Sequence, residues 1–346
     1  MNSTLTYTQA ENFLLSLFKK VNLPNDKALT TTKILLEGEL LGHRTHGLQL
    51  TMPYIEHIKS GSMEINGSYD ILNSAASSEL WDGKYLTGPW LIEKGIQKAD
   101  LMAEENGVGT VVIQKSSHIG CLAAYLEEAT QNGNMAIIAC SDPDNKTVAP
   151  FGGTTGVYSP NPLALGIPTE TQPLIIDVSM SATSNGLIHQ KNKTNEPLEY
   201  PWLITADGKA TTDAKTFFED EPSTILPLGG LDSGYKGFAL GIMIEAMTSA
   251  LGGHGRSSEP GRWGASAFIQ VINPKKFSGD SYFKREMEHL KEQSLASKAA
   301  HPNQPVRMPG ERGLTLKTEQ MKSGLRLRND TFEGLKKLAE EFVLKL

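Results

Sequence analysis

The sequence predicts an α/β protein, with a central mixed-sheet region set inside helical ends. Three observations predict it. The chain has 346 residues, enough for about two domains of ~150 residues. Its middle, roughly residues 75–285, alternates short β-like runs with helical ones, the pattern of strands joined by helical connections. Both ends carry apolar residues at helical spacing and no β pattern.

At the N-terminus, Leu14, Leu15, Leu17 and Phe18 recur on one helical face and Pro24 stops the run. The segment has no basic start and no small-residue cleavage site, so it reads as a first amphipathic helix, not a signal peptide. Residues 27–48 continue as helix through Leu29, Ile34, Leu36, Leu40 and Leu41, with Gly47 ending the run, and a further helix is expected at 53–60. The character changes near residue 70. Strands are expected at 108–113, 135–140, 163–168, 174–178 and 266–272, with helices at 121–132 and 236–251. After Pro274 the chain turns polar and helical over 281–298. The last segment opens with Asp330 and Glu333 at capping-box spacing and carries Leu335, Leu338 and Phe342 on one face. The expected division is therefore a discontinuous helical domain from 1–74 with 286–346, and an α/β domain over 75–285.

Composition narrows the function classes. Lys and Arg total 33 against 39 Asp and Glu, a formal charge of −6, which argues against a nucleic-acid-binding face. Cations gathered locally still admit an anionic small molecule as substrate. No stretch reaches the ~20 apolar residues of a membrane span. Two cysteines, Cys121 and Cys140, cannot build a disulfide scaffold, and a reducing cytoplasmic setting is expected.

The motifs divide into those rejected and those kept. The Gly-Xaa-Gly-Xaa-Xaa-Gly fingerprint of a Rossmann site is absent. Gly229 to Gly237 lacks the lysine and hydroxyl placement of a P-loop. What remains there is a glycine-rich turn into a helix, where N–H groups and Lys236 can meet phosphate. His43 and His46 share a face of Gly42-His-Arg-Thr-His-Gly47, but a metal site lacks a third ligand, so no metal is expected. Imidazoles and Arg44 stabilising a helix end are the alternative. His118 follows a strand in a Lys-Ser-Ser-His turn, where α/β proteins place active groups, and histidine suits acid/base work near neutrality. Capping of its own turn is the competing reading. Ser141-Asp142 and Asp177 to Ser181 also follow strands, and either line the same cleft or cap helices. Arg307 to Arg312 forms a charged turn.

Taken in order, these pieces resemble the type 2 malate/L-lactate dehydrogenases, a family that includes ureidoglycolate dehydrogenase, 2,3-diketogulonate reductase and piperideine-2-carboxylate reductase. The resemblance rests on Gly42–Gly47, Ser116–Gly120, Pro150–Gly153, Asn161–Ala164, Ile176–Ser181, Tyr235-Lys236-Gly237 leading to Glu245, and Pro309–Glu311. It implies a non-Rossmann fold, a homodimer with the active site near the subunit interface, and NAD or NADP as cofactor. It implies cofactor contacts at Ser141 with Asp142, at Asp177, Val178, Ser179, Met180 and Ser181, at Tyr235 and Lys236, and at Pro309, Gly310 and Glu311. His118 matches the proton-transferring histidine of some members and His46 that of others, with Thr45 where the family usually has serine. His43 and Arg44 are the expected substrate contacts. An arginine common in the family four residues after His46 is here Leu50, which leaves a substrate other than a simple 2-oxo acid open. The expected function is hydride transfer between nicotinamide and a 2-hydroxy or 2-oxo acid. The alternatives are reduction of a cyclic imino acid or sugar-derived oxo acid, and a non-catalytic binding protein on the same fold.

Overall fold

The computed structural model describes residues 4–346. A two-residue strand β1 (Thr4–Leu5) precedes helices α1 (Tyr7–Lys20), α2 (Asn25–Leu40) and α3 (Thr51–Ser60). Strands β2 (Asp70–Ala75) and β3 (Ser78–Asp82) form a hairpin, and α4 (Gly88–Asn106) leads to β4 (Val108–Ser116). After α5 (Leu126–Ala129) come β5 (Met135–Ser141), β6 (Pro162–Ile167), β7 (Leu174–Ser179) and α6 (Asn185–Thr194). Short strands β8 (Leu203–Ile204), β9 (Ala210–Thr211) and β10 (Thr224–Ile225) precede α7 (Gly230–Glu245) and β11 (Ala265–Ile272). Helix α8 (Asp280–Ala296), α9 (Glu311–Ser323), β12 (Leu325–Arg326) and α10 (Asn329–Phe342) finish the chain.

Seven strands form one mixed sheet in the order β2-β3-β4-β11-β5-β6-β7. Only β3 and β4 run parallel, joined by the α4 crossover, while the remaining neighbours are antiparallel. The late strand β11 lies at the centre, pairing Phe268 with Val112 on one side and Ala139 on the other. Central strands covered on both faces read as unbroken apolar runs, which is why VGTVVI and SAFIQVI were legible.

The two chain ends meet directly. β1 pairs with β12, and Phe13, Leu14, Leu17 and Phe18 of α1 share a core with Leu35, Leu36, Tyr54, Leu335 and Leu338. A separate core joins α4 to the sheet through Leu91, Ile92, Ala99, Val111, Ile113 and Ile269. A third surrounds the small sheet of β8, β9 and β10, with Tyr158, Met180, Ile188 and Leu203.

Several local expectations need correction. The helix expected over 27–48 ends at Leu40, and two 3-10 turns, Arg44–His46 and Leu48–Leu50, follow. Gly42 at φ +86° turns the chain, and the Gly47 backbone lies so close to Glu39 that a Cβ there would stand 2.6 Å from its carboxylate. That carboxylate accepts the Leu48 N–H at 3.0 Å, fixing the motif as a bent loop. Over 121–132 only a 3-10 turn, Leu122–Tyr125, and one turn of α5 form, with the Ala123 N–H at the start of the turn donating to the Asp177 carboxylate at 2.9 Å. Asp330 forms no capping box. It accepts from Arg328 at 3.0 Å, and the box belongs to Thr6 and Gln9 at the start of α1. Strand β2, from Asp70, lies before the boundary drawn at residue 74 yet joins the central sheet.

Candidate active site

His118 stands between the end of β4 and the 3-10 turn at Leu122. Its ring stacks on Trp263 (centroids 4.4 Å apart) and on His46 (5.8 Å), with Tyr54 of α3 edge-on at 5.9 Å. The Gly120 N–H donates to Nδ1 at 3.2 Å, and the Tyr54 hydroxyl lies 3.0 Å from the same nitrogen while donating to the His118 carbonyl at 3.0 Å. Burial, then the neighbouring His46 and His57, pushes His118 down to about 3, so the ring is neutral near pH 7. His46 is lowered for the same reason, chiefly burial, with Asp177 acting in the opposite direction. Its Nδ1 is 3.0 Å from the Thr45 hydroxyl, against which Gly186 at the start of α6 packs. Sequence and fold thus bring the two candidate histidines, 72 positions apart, onto one wall.

The opposite wall is amide and hydroxyl. Thr45, His46 and His118 share a cleft of about 340 Å³ with Asp142, Asn145, Ser159, Asn161, Asp177, Ser179, Asn185 and Trp263. Asn161 is held in a left-handed conformation (φ +42°). Ser159 donates to its Oδ1 at 2.5 Å, and its amide donates to Glu245 at 2.9 Å. Arg256 clamps the same Glu245 (2.6 and 3.0 Å) and donates to the Asn145 carbonyl. Burial pushes Asp142 up to about 6, opposed by the N–H groups of Asp144 and Asn145. Asn185 lines the cleft, and its Oδ1 is buried without a hydrogen-bond partner. Among the described residues no lysine or arginine lines this cleft. Leu50, at the place of the family arginine, is buried in the helical core.

Beside it lies a second cavity of about 640 Å³ that shares His43 and Asp177 with the cleft. Its walls carry Arg44, Arg307, Arg312 and Gly310, so the Arg44 and Gly310 expected at the site fall here. Pro309 accepts the Ile175 N–H, and Glu311 turns back onto the Met308 N–H at 3.0 Å. His43, Cys121 and Asp177 bring potential metal-ligand atoms within 4.8 Å of one another. The Cys121 thiol donates to Asp177 at 3.8 Å, and burial pushes its pKa well up, so the sulfur stays a protonated thiol.

Other expected contacts are not brought to either cavity. The Ser141 hydroxyl is buried and bonded to Thr248 (2.7 Å) and Ser249 (2.9 Å) in the π turn after α7. Val178 points outward and exposed, while Met180 is buried beneath α7 and Ser181 bonds to Ser179. Tyr235 and Lys236 sit on α7 with the lysine 5.8 Å over the exposed tyrosine ring. Glycine there serves packing: at Gly237 a Cβ would stand 2.4 Å from the Leu228 nitrogen, so the helix backbone lies directly on the turn that leads into it. Sequence reading missed Tyr54, Trp263, Asn145, Ser159, Asn185 and Arg256. No local motif marks them, since Asn145, Ser159, Asn185 and Trp263 come to the cleft wall, and Tyr54 and Arg256 to the layer behind it, from segments spread over much of the chain.

A mixed sheet without a Rossmann crossover, carrying paired histidines above a polar cleft, defines a dehydrogenase class distinct from the nucleotide-fingerprint enzymes. The model of the malate/L-lactate dehydrogenase family matches residues 5–336, and the chain belongs to that family. It is an oxidoreductase acting on CH–OH groups. Its relatives include the malate/(S)-sulfolactate dehydrogenase of Methanothermus fervidus, 28% identical over 98% of each chain. The (2R)-3-sulfolactate dehydrogenase (NADP(+)) of Chromohalobacter salexigens is 26% identical over 93% of this chain and 94% of its own. The fold matches malate dehydrogenase from Entamoeba histolytica with a TM-score of 0.93 at 24% identity, covering 100% and 99% of the two chains.

Proposed function

We propose that this chain transfers a hydride between a nicotinamide cofactor and a 2-hydroxy or 2-oxo acid, with His118 as the acid/base. One observation carries the reading: a neutral imidazole faces a polar cleft while its far nitrogen is held by Gly120 and Tyr54. Nδ1 accepting from Gly120 places the proton on Nε2, a donor toward a carbonyl oxygen. Because the Tyr54 proton is committed to the His118 carbonyl, its oxygen is free to accept from Nδ1–H. That second arrangement gives up the Gly120 bond, turns Nδ1–H to the Tyr54 oxygen, and frees Nε2 to take the hydroxyl proton during oxidation. His46, 5.8 Å away, is the alternative base, positioned by Thr45.

The two adjoining cavities fit an elongated anionic cofactor, with His43 and Asp177 at their junction and arginines on the outer part. A bound nicotinamide supplies or accepts the hydride. Ser179, Asp177 and Asp142 line the cleft, Gly310 lines the outer cavity, and Pro309 and Glu311 flank it.

A second reading follows from Leu50. With no cation in the cleft and amides at Asn145, Asn161 and Asn185, a polyhydroxylated oxo acid or cyclic imine suits the walls better than a dicarboxylate. We further propose a homodimer built on α7, where Leu231, Tyr235, Ile242 and Met243 form an exposed apolar stripe. This would carry Tyr235 and Lys236 into the interface. The helical ends and the α/β region are proposed as two domains. Free Cys121 and Cys140 fit a reducing cytoplasm, and no described helix is long and apolar enough to cross a membrane.

The test is oxidation of NADH and NADPH against pyruvate, oxaloacetate, a cyclic imine and an oxo-sugar acid. Turnover of at least one is expected, and failure to bind either nicotinamide would overturn the reading.

A further inference from the structure

We propose that the outer cavity is a phosphate basin for the 2′-phosphate of the cofactor's adenosine ribose, so that the chain prefers NADP(H) to NAD(H). The proposal rests on the nicotinamide reading above and names which form of the cofactor that site takes.

Arg44 reaches the cavity from the 3-10 turn after α2, Arg307 from the segment before α9, and Arg312 from the first turn of α9. Among the described residues none of the three forms an ion pair or donates a side-chain hydrogen bond. Arg256, Arg285 and Arg328, by contrast, each sit on a carboxylate. Asp177 accepts the Ala123 N–H and Glu311 the Met308 N–H, and neither carboxylate forms a salt bridge with the three arginines. Three unneutralised guanidiniums around one basin repel one another, in a chain whose net charge is −6. That arrangement is favourable when an anion fills the space between them.

Charge counting selects the form. The diphosphate common to both cofactors carries two negative charges, and a phosphate monoester adds about −1.5 to −2 at pH 7. Three guanidiniums converging on one basin, against the single wall carboxylate of Asp177, suit the added monoester, whose oxygens accept bidentate pairs from arginine. The histidine cleft offers no cation to take that group, so the outer cavity is where it belongs.

The probes are adenosine 2′,5′-bisphosphate and adenosine 5′-monophosphate, titrated calorimetrically into the full chain, together with NADPH and NADH. The bisphosphate is expected to bind on the order of 10- to 100-fold tighter than the monophosphate. Arg44→Gln and Arg312→Gln should each erase most of that difference while leaving monophosphate affinity within about two-fold. Arg312→Lys should restore part of it, because the charge returns without the bidentate fork. Equal affinity for the two probes would overturn the proposal. So would arginine variants that weaken both probes alike, which would assign the arginines to the shared phosphate. If NADH and NADPH bind equally and both support turnover, the basin assignment falls while the dehydrogenase reading stands. If neither dinucleotide binds, both fall.

Discussion

The two cavities of this chain solve opposite electrostatic problems a few residues apart. The inner cleft holds imidazoles, amides and hydroxyls, and burial keeps His118 uncharged. The outer one is open to solvent and presents exposed Arg44, Arg307 and Arg312. Proton transfer benefits from a dry site whose donors and acceptors are held in advance. Capture of an anion benefits from exposed charges that attract it through water. His43 and Asp177 border both, so the boundary between the regimes is one side chain thick.

The sharpest test removes the proton carrier. His118→Asn should lower kcat by roughly 10²- to 10⁴-fold with nicotinamide binding, read by fluorescence, nearly unchanged. Retained turnover would pass the role to His46. Next, the difference in charge between the cavities can be forced. Leu50→Arg puts an unpaired cation into the helical core beside Leu48 and Tyr54, and should cost roughly 3 kcal/mol or more, read as a large fall in Tm. If instead the variant folds normally and gains affinity for a dicarboxylate, Leu50 borders the substrate after all.

The pH dependence of stability is the third test. His118 has a folded value of about 3 against an unfolded ~6.5, so its contribution is complete above pH 6.5 and is lost as pH falls toward 3. The slope is ~1.4 kcal/mol per pH unit for this group, and His118→Asn should flatten that acid limb in denaturant titrations. Glu39 has the opposite sign. Burial raises it from 4.5 to about 7, so its contribution is present below 4.5 and lost as pH rises through 7. Glu39→Gln keeps an acceptor for Leu48 N–H and should flatten the neutral limb. The smallest expected effect is that of Tyr54→Phe. It should lower kcat for oxidation by about ten-fold and shift its pH profile, with little change in KM, because the oxygen beside Nδ1 and the hydrogen bond to the His118 carbonyl are lost while the cleft-lining groups stay. A Tyr54→Phe enzyme with an unaltered pH profile would reduce Tyr54 to a packing residue.

Legibility followed the range of the forces involved. The buried strands around Val111 and Ile269 were readable because a strand covered on both faces must be apolar throughout. The hairpin at Asp70 to Asp82 was not, because its outer strand β2 is exposed along its whole length and bears no alternation. His118 and His46 were found from local turns, whereas Tyr54 and Trp263 stay ordinary aromatic residues until α3 and the segment before β11 bring them to the imidazole. Lys236, expected from a glycine-rich turn into a helix, lies near the start of α7 away from both cavities, and glycines beside it let the helix pack closely.

The sequence by itself determined the α/β class, the apolar centre of the sheet, the helical ends and the two histidines with their family. Those depend on periodicity and on residue types within a few positions of one another. Tertiary structure alone decided that His118 is neutral, that Leu50 belongs to the core, and that Arg44 joins Arg307 and Arg312 across more than 260 positions of chain. Desolvation and the convergence of charges depend on what surrounds a group in space, and no local pattern encodes that surrounding.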